Sequence, residues 1–196
     1  MEHHHYKKNN SKKIRLGITH GDLNGVGYEV ILKTFSDARM FDQCTPVLYG
    51  STKVASYHKN LLSLHQDVSF NAIHSASEAV ERKFNVVNLS NDEIKIDVGV
   101  STESAGALSR QALDMACEEL KQGHIDVLVT APINKKNIQS EDFDFPGHTE
   151  YLSHKFSSDS LMMMVCDRIR IGIVTNHLSL REVPDAITPE VLFDKL

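Results

Sequence analysis

Two short stretches hold the side chains best suited to chemistry. One is Pro146-Gly147-His148-Thr149-Glu150; the other is Thr175-Asn176-His177-Leu178-Ser179-Leu180-Arg181. Each sets an imidazole beside hydroxyl or amide groups, next to a segment that reads as a strand. Imidazole ligates metals and exchanges protons near neutral pH, so the two together point to metal-assisted chemistry on a small polar substrate. Gly147 lets the chain bend and a ligand approach His148, and Thr149 adds a hydroxyl that both donates and accepts. A histidine by itself is as often a satisfied structural residue, and for His148 both readings stay open. His177 follows a strand containing Ile171, Ile173 and Val174, a place from which neutral imidazole makes a good divalent-metal ligand. One histidine is not a metal site, because a catalytic metal takes about three protein ligands and keeps an open position. His20, His58, His65, His74, His124 and His154 offer no pair spacing with His177. His20 is the best of them, since it also ends a strand.

Two more polar loops follow strand-like segments. Gly21-Asp22-Leu23-Asn24-Gly25-Val26-Gly27 lies between a strand and a helix, where backbone N–H groups can face an anion. Its spacing is G-x-x-x-G-x-G, not the G-x-G-x-x-G of a dinucleotide turn, and no GK[ST] follows. The alternative is that the glycines only permit a tight turn. Asp22 and Glu29 are then capping and surface groups rather than members of a site. Thr130-Ala131-Pro132-Ile133-Asn134-Lys135-Lys136 brings amide and ammonium groups to a strand's end. Lys135 can hold a phosphate or carboxylate there as a point charge; a solvated lysine pair is the plainer alternative.

The elements that must position these loops alternate. Residues 14–19, 46–49, 85–89, 94–100, 126–130, 161–165 and 169–174 read as strands, with Val127-Leu128-Val129 a buried type. Residues 28–35 read as a helix with Val30, Ile31 and Thr34 on one face, and 52–62 as another. The clearest helix covers 102–122: Ser101 or Thr102 caps it, and Glu103 suits its positive end. Leu108, Ala112, Met115, Ala116 and Leu120 form its apolar stripe, and Gly123 ends it. A helix is expected over 149–156, with Glu150 able to cap it. Thr188 and Pro189 open a last one as N-cap and first helical residue. Strand alternating with helix predicts an α/β layered fold with a mixed, mostly parallel sheet, in which ligands bind at the carboxyl ends of strands. The chain stops inside its last helix, which reads as truncation.

The chain has 196 residues, 41% of them hydrophobic, enough for a globular core. A net charge of −5 argues against a nucleic-acid partner, which needs a basic face. No apolar run reaches the roughly 18 residues needed to span a bilayer. Residues 1–13 read as a flexible basic tail containing His3-His4-His5 and are set apart from 14–196. Cys44, Cys117 and Cys166 have no CxxC spacing and read as free thiols of a cytoplasmic protein.

Four blocks taken in order resemble one known family. Ile18-Thr19-His20-Gly21-Asp22-Leu23-Asn24-Gly25-Val26-Gly27-Tyr28-Glu29, Val129-Thr130-Ala131-Pro132-Ile133-Asn134-Lys135, Pro146-Gly147-His148-Thr149-Glu150 and Thr175-Asn176-His177-Leu178-Ser179-Leu180-Arg181 are similar to segments of the 4-hydroxythreonine-4-phosphate dehydrogenases of pyridoxal phosphate (vitamin B6) biosynthesis. The resemblance implies a fold of the isocitrate/isopropylmalate dehydrogenase type and a homodimer with its active site at the subunit interface. It implies NAD and a divalent metal (Zn, Mg or Co) as cofactors. It also implies substrate contacts from His148 and Thr149, and His177 as the first of three metal-binding histidines. The blocks that carry the family's other two histidines do not occur in this sequence. Its later substrate-binding Lys, Asn and Arg are absent too, with much of the NAD-contacting region. The sequence departs from the family's glycine turn at Leu23 and Tyr28, where proline is frequent.

The implied reaction is oxidation of 4-phosphooxy-L-threonine followed by decarboxylation, and this chain by itself is expected to be inactive. A related dehydrogenase acting on another hydroxy acid is the alternative within the family. A metal-dependent hydrolase built on His148 and His177, or a module that only binds a small anion, are alternatives outside it.

Overall fold

The computed structural model describes residues 13–64, 69–90, 94–175 and 178–195. The tail 1–12, His65, and both Asn176 and His177 of the second histidine block lie outside the described residues. The chain divides into two compact units, one up to His148 and one from Thr149 onward.

The first unit is built on five strands: β1 (Ile14–Thr19), β2 (Cys44–Gly50), β3 (Phe70–Ile73), β4 (Phe84–Asn88) and β5 (Val127–Thr130). Their order is β3-β4-β2-β1-β5, and every pairing is parallel. The helices are α1 (Gly27–Phe35), α2 (Met40–Gln43), α3 (Thr52–Leu61) and α4 (Glu103–Lys121). Strand β2 is buried along its whole length, as a central parallel strand covered on both faces must be. Its side chains alternate between two cores. Leu48 joins Ile18, Val86, Phe84, Tyr28, Ile31, Phe35 and Val54. Val47 and Tyr49 join Ile73, Val87, Ala112, Ala116 and Ile125. This is the α/β layered, mostly parallel arrangement that the alternation of elements predicts.

Helix α4 matches its sequence signals closely. The Thr102 side chain accepts the Ala105 N–H, and Gly123 follows the C-cap Gln122 at φ +72°. Three expectations need correction. Residues 94–100 form no strand, because Asn24 takes their backbone groups, as described below. Strand β5 is not a buried type: Val127 and Val129 are each close to half exposed, and among the described residues β5 pairs with β1 alone. Helix α1 buries Tyr28, Ile31, Leu32 and Phe35, while Val30 and Thr34 face outward. Strand β3, too short to announce itself, completes the far edge.

The second unit contains the body of α5 (His148–Phe156), whose first residue closes the first unit. Strands β6 (Met162–Val165) and β7 (Arg170–Ile173) pair antiparallel, and the Cys166 N–H bonds to the Ile169 carbonyl across their turn. Helices α6 (Val183–Ala186) and α7 (Pro189–Lys195) follow. Thr188 accepts the Val191 N–H, so it caps α7 as its type and position predict. Among the described residues no helix is long and apolar enough to cross a membrane.

Candidate functional site

Strands β1 and β5 pair from Leu16 with Val127 to Thr19 with Thr130, so their loops leave the sheet side by side. The glycines of the first loop are there for close packing. Gly21 sits at φ +70°, and a Cβ on it would overlap the Pro132 carbonyl. A Cβ on Gly27 would overlap the His20 carbonyl. Asp22 turns back on the same loop, its Oδ1 accepting the Asn24 N–H at 2.9 Å and its carbonyl the Gly25 N–H. With a carboxylate already on the loop's amides, the tight turn accounts for the G-x-x-x-G-x-G spacing better than an anion cradle does.

Asn24, only 2% exposed, joins this turn to the segment before α4. Its Oδ1 accepts the Asp97 N–H at 2.9 Å, and its Nδ2 donates to the Val100 carbonyl and to Thr102 Oγ1. Its own carbonyl accepts the Gly99 N–H at 2.8 Å. The loop after β5 is tied in as well. The Asp22 N–H donates to the Pro132 carbonyl, and Asp22 Oδ2 accepts from Asn137 Nδ2 at 3.3 Å. Within that loop, Asn134 Oδ1 accepts the N–H of Lys136 and of Asn137, an Asx-type closure. Three loops at the carboxyl end of the sheet therefore form one hydrogen-bonded platform.

His148 ends this unit half-buried. Its Nε2 is shielded and has no hydrogen-bond partner. Burial, and then the positive charge of Lys135, hold its pKa below the usual histidine value. The ring is thus neutral at neutral pH, with a nitrogen whose bonding capacity is unspent and an ammonium acting on it. A buried polar atom left unpaired is uncommon and calls for a reason; a polar ligand is one.

His20 turns out to be a core residue. It is 2% exposed and stacks on Tyr28, which stacks in turn on His58; the ring centroids are 5.4 and 5.1 Å apart. Burial lowers its pKa to about 4. His58 Nε2 bonds to the Leu23 carbonyl, and the Tyr28 hydroxyl accepts the Ser51 N–H. These contacts fix the floor beneath the glycine turn.

The sequence pattern of the family described as pyridoxal phosphate biosynthetic protein PdxA matches residues 42–196. This chain belongs to that family. A 4-hydroxythreonine-4-phosphate dehydrogenase from Bacteroides thetaiotaomicron is 48% identical over 186 residues, covering 94% of this chain and 50% of that protein. A Clostridium botulinum protein provisionally named a D-threonate 4-phosphate dehydrogenase is 30% identical, with 94% and 56% covered. The crystal structure of a 4-hydroxythreonine-4-phosphate dehydrogenase from Burkholderia phymatum superimposes with a TM-score of 0.84 at 29% identity, over 93% of this chain and 56% of that one. The fold is thus the α/β dehydrogenase type that the four sequence blocks imply. The chain spans about half the length of the curated relatives it matches.

Within this family frame, His148 and Lys135 share the first unit, and Thr149 stands partly exposed in the first turn of α5. His177 is outside the described residues, and among those described no three His, Cys, Asp or Glu side chains gather to hold a metal. The tie between Asp22, Asn24 and Asn137 went unseen in the sequence, although Asp and Asn at strand ends are a recognisable signal for side-chain-locked turns.

Proposed function

We propose that this chain carries substrate-binding loops of an NAD- and divalent-metal-dependent enzyme that oxidises 4-phosphooxy-L-threonine to 2-amino-3-oxo-4-phosphooxybutanoate in pyridoxal phosphate biosynthesis. The observation that carries this reading is His148: a neutral imidazole with an unpartnered, shielded nitrogen, acted on by the Lys135 ammonium, in a chain 48% identical to a protein of that name. Its neutral ring hydrogen-bonds the substrate, and the Thr149 hydroxyl adds a second contact. Lys135 supplies a counter-charge to a phosphate or carboxylate.

In the reaction the carbinol carbon gives up a hydride and the hydroxyl a proton. The product is a β-keto acid, whose ketone accepts the electron pair released as CO₂ leaves, and protonation of the resulting enolate at carbon gives 3-amino-2-oxopropyl phosphate. NAD is the oxidant of this reading. The working enzyme is a cytoplasmic homodimer with its site at the subunit interface.

The Clostridium relative's name favours one second reading, a D-threonate 4-phosphate substrate. Both candidates are phosphorylated hydroxy acids and make the same demands on His148 and Lys135. A chimera of this chain with the second half of the Bacteroides relative separates them. Faster NADH formation from 4-phosphooxy-L-threonine than from D-threonate 4-phosphate supports the first reading, and the reverse order supports the second. Hydrolysis without NADH overturns both. The 196-residue chain alone is expected to show no turnover.

A further inference from the structure

The second unit leaves its hydrophobic side chains without a core. Among the described residues from Thr149 onward Tyr151 alone is buried, while Met163, Met164, Val165, Ile169 and Ile171 are each between 50% and 63% exposed. Most of them stand on the β6–β7 ribbon, whose strands, among the described residues, pair only with each other. A two-stranded ribbon alone in water is marginal at best.

Alternate residues of a strand share a face, and so do residues directly opposite across a pair. The register therefore puts Met162 and Met164 on one face with Ile173 and Ile171, and Met163 and Val165 on the other with Gly172 and Arg170. A Cβ on Gly172 would lie 3.5 Å from the Leu161 side chain, so Leu161 fills the second face where Gly172 has nothing to offer. Both faces are thus apolar, and Arg170, beside the turn, is the one charged residue of the two strands. Strands that are apolar at consecutive positions, rather than alternate ones, are the type covered on both sides.

That requirement selects the occupant. A second copy docked across a twofold axis brings like face to like face and covers only one of them; one face against the other of the next copy repeats without closing. A longer polypeptide can pass over both. The relatives have one: this chain accounts for 50% of the Bacteroides protein and 56% of the Clostridium protein, which leaves about as much chain again in each. We propose that the second half of the family's full-length chain docks on both faces of the β6–β7 ribbon and closes a second layered core around it. The proposal is independent of the substrate reading, and its test needs neither substrate nor NAD.

The test is amide hydrogen exchange over 162–173, compared between the 196-residue chain and its fusion to the second half of the Bacteroides relative. Exchange slows about a hundredfold in the fusion, the difference between a ribbon that opens locally and strands inside a closed core. Met163→Lys and Met164→Lys, one on each face, each restore fast exchange in the fusion and leave the circular dichroism of the 196-residue chain unchanged. Equal exchange in the two wild-type proteins overturns the proposal. An effect confined to one of the two lysine variants overturns the two-sided cover. Exchange in the 196-residue chain that slows as its concentration rises, and no longer does so in Met164→Lys, makes a second copy the occupant and overturns the proposal as well. If the fusion does not fold, the second half is co-expressed as a separate polypeptide. Co-purification with the wild-type chain, lost in both lysine variants, then supports the proposal, and its absence in wild type overturns it.

Discussion

Lowering the pH from 7 to 4 withdraws stability from this fold through His20. The ring is buried against Tyr28, its Nδ1 has no hydrogen-bond partner, and burial holds its pKa at about 4 against an ordinary 6.5. Backbone groups of Leu108 and Gly21 offset only part of that burial effect. Because the folded pKa is the depressed one, the unfolded chain takes up the proton first. Above pH 6.5 both states are neutral and the full contribution is present. Between 6.5 and 4 the unfolded chain holds the extra proton, so stability falls by about 1.4 kcal/mol per pH unit, roughly 3 kcal/mol in all. His58 and His148, also lowered by burial, act in the same direction. Urea unfolding followed by circular dichroism in steps from pH 7 to 4 measures the sum. His20→Phe isolates the single residue, since it keeps a ring on Tyr28 and cannot titrate. The stability of wild type relative to His20→Phe should drop by about 3 kcal/mol across the interval. A pH-independent difference would refute the reasoning, because His20 would then be protonated as readily folded as unfolded.

Five further substitutions have defined outcomes. Gly106→Ala forces a methyl into the Asn137 backbone and should cost about 1–3 kcal/mol by thermal melting, whereas Gly123→Ala meets open space and should cost only the left-handed backbone penalty of about 1 kcal/mol. Glu119→Ala strips the acceptor from the Tyr49 hydroxyl at 2.6 Å and from the Ala76 N–H at 2.9 Å, leaving two buried donors unpaired, and should cost about 3 kcal/mol in urea unfolding. Glu119→Gln, which keeps an acceptor, should recover most of that loss. In the chimera with the Bacteroides relative's second half, His148→Ala should lower kcat/KM for 4-phosphooxy-L-threonine at least tenfold, the effect of losing one substrate hydrogen bond to a charged group.

Local signals written into the chain are legible from the sequence directly. Helix α4 carries its N-cap at Thr102, its stripe and its terminal Gly123; Thr188 and Pro189 mark α7 in the same way. What stays hidden depends on partners distant in sequence. Val127-Leu128-Val129 reads as a buried strand because an apolar run does not say what covers it, and Val127 and Val129 prove to be close to half exposed. Residues 94–100 have a strand-like composition, yet Asn24, some seventy residues earlier, takes the backbone groups a sheet would need. His20 looks like the best companion for a metal ligand because it ends a strand; its stacking on Tyr28 makes it part of the core. His148 stands out by its setting in Gly-His-Thr-Glu. Its unpartnered nitrogen and the ties of Asp22 to Asn24 and Asn137 need the fold.

NADH formation by the chimera of this chain with the second half of the Bacteroides relative, supplied with 4-phosphooxy-L-threonine, NAD and a divalent metal, puts the functional reading to its most direct test. NADH should accumulate, and both a chelator and His148→Ala should suppress it. A folded chimera that yields no NADH, while the intact relative turns over in the same assay, would contradict the assignment of these loops to that substrate.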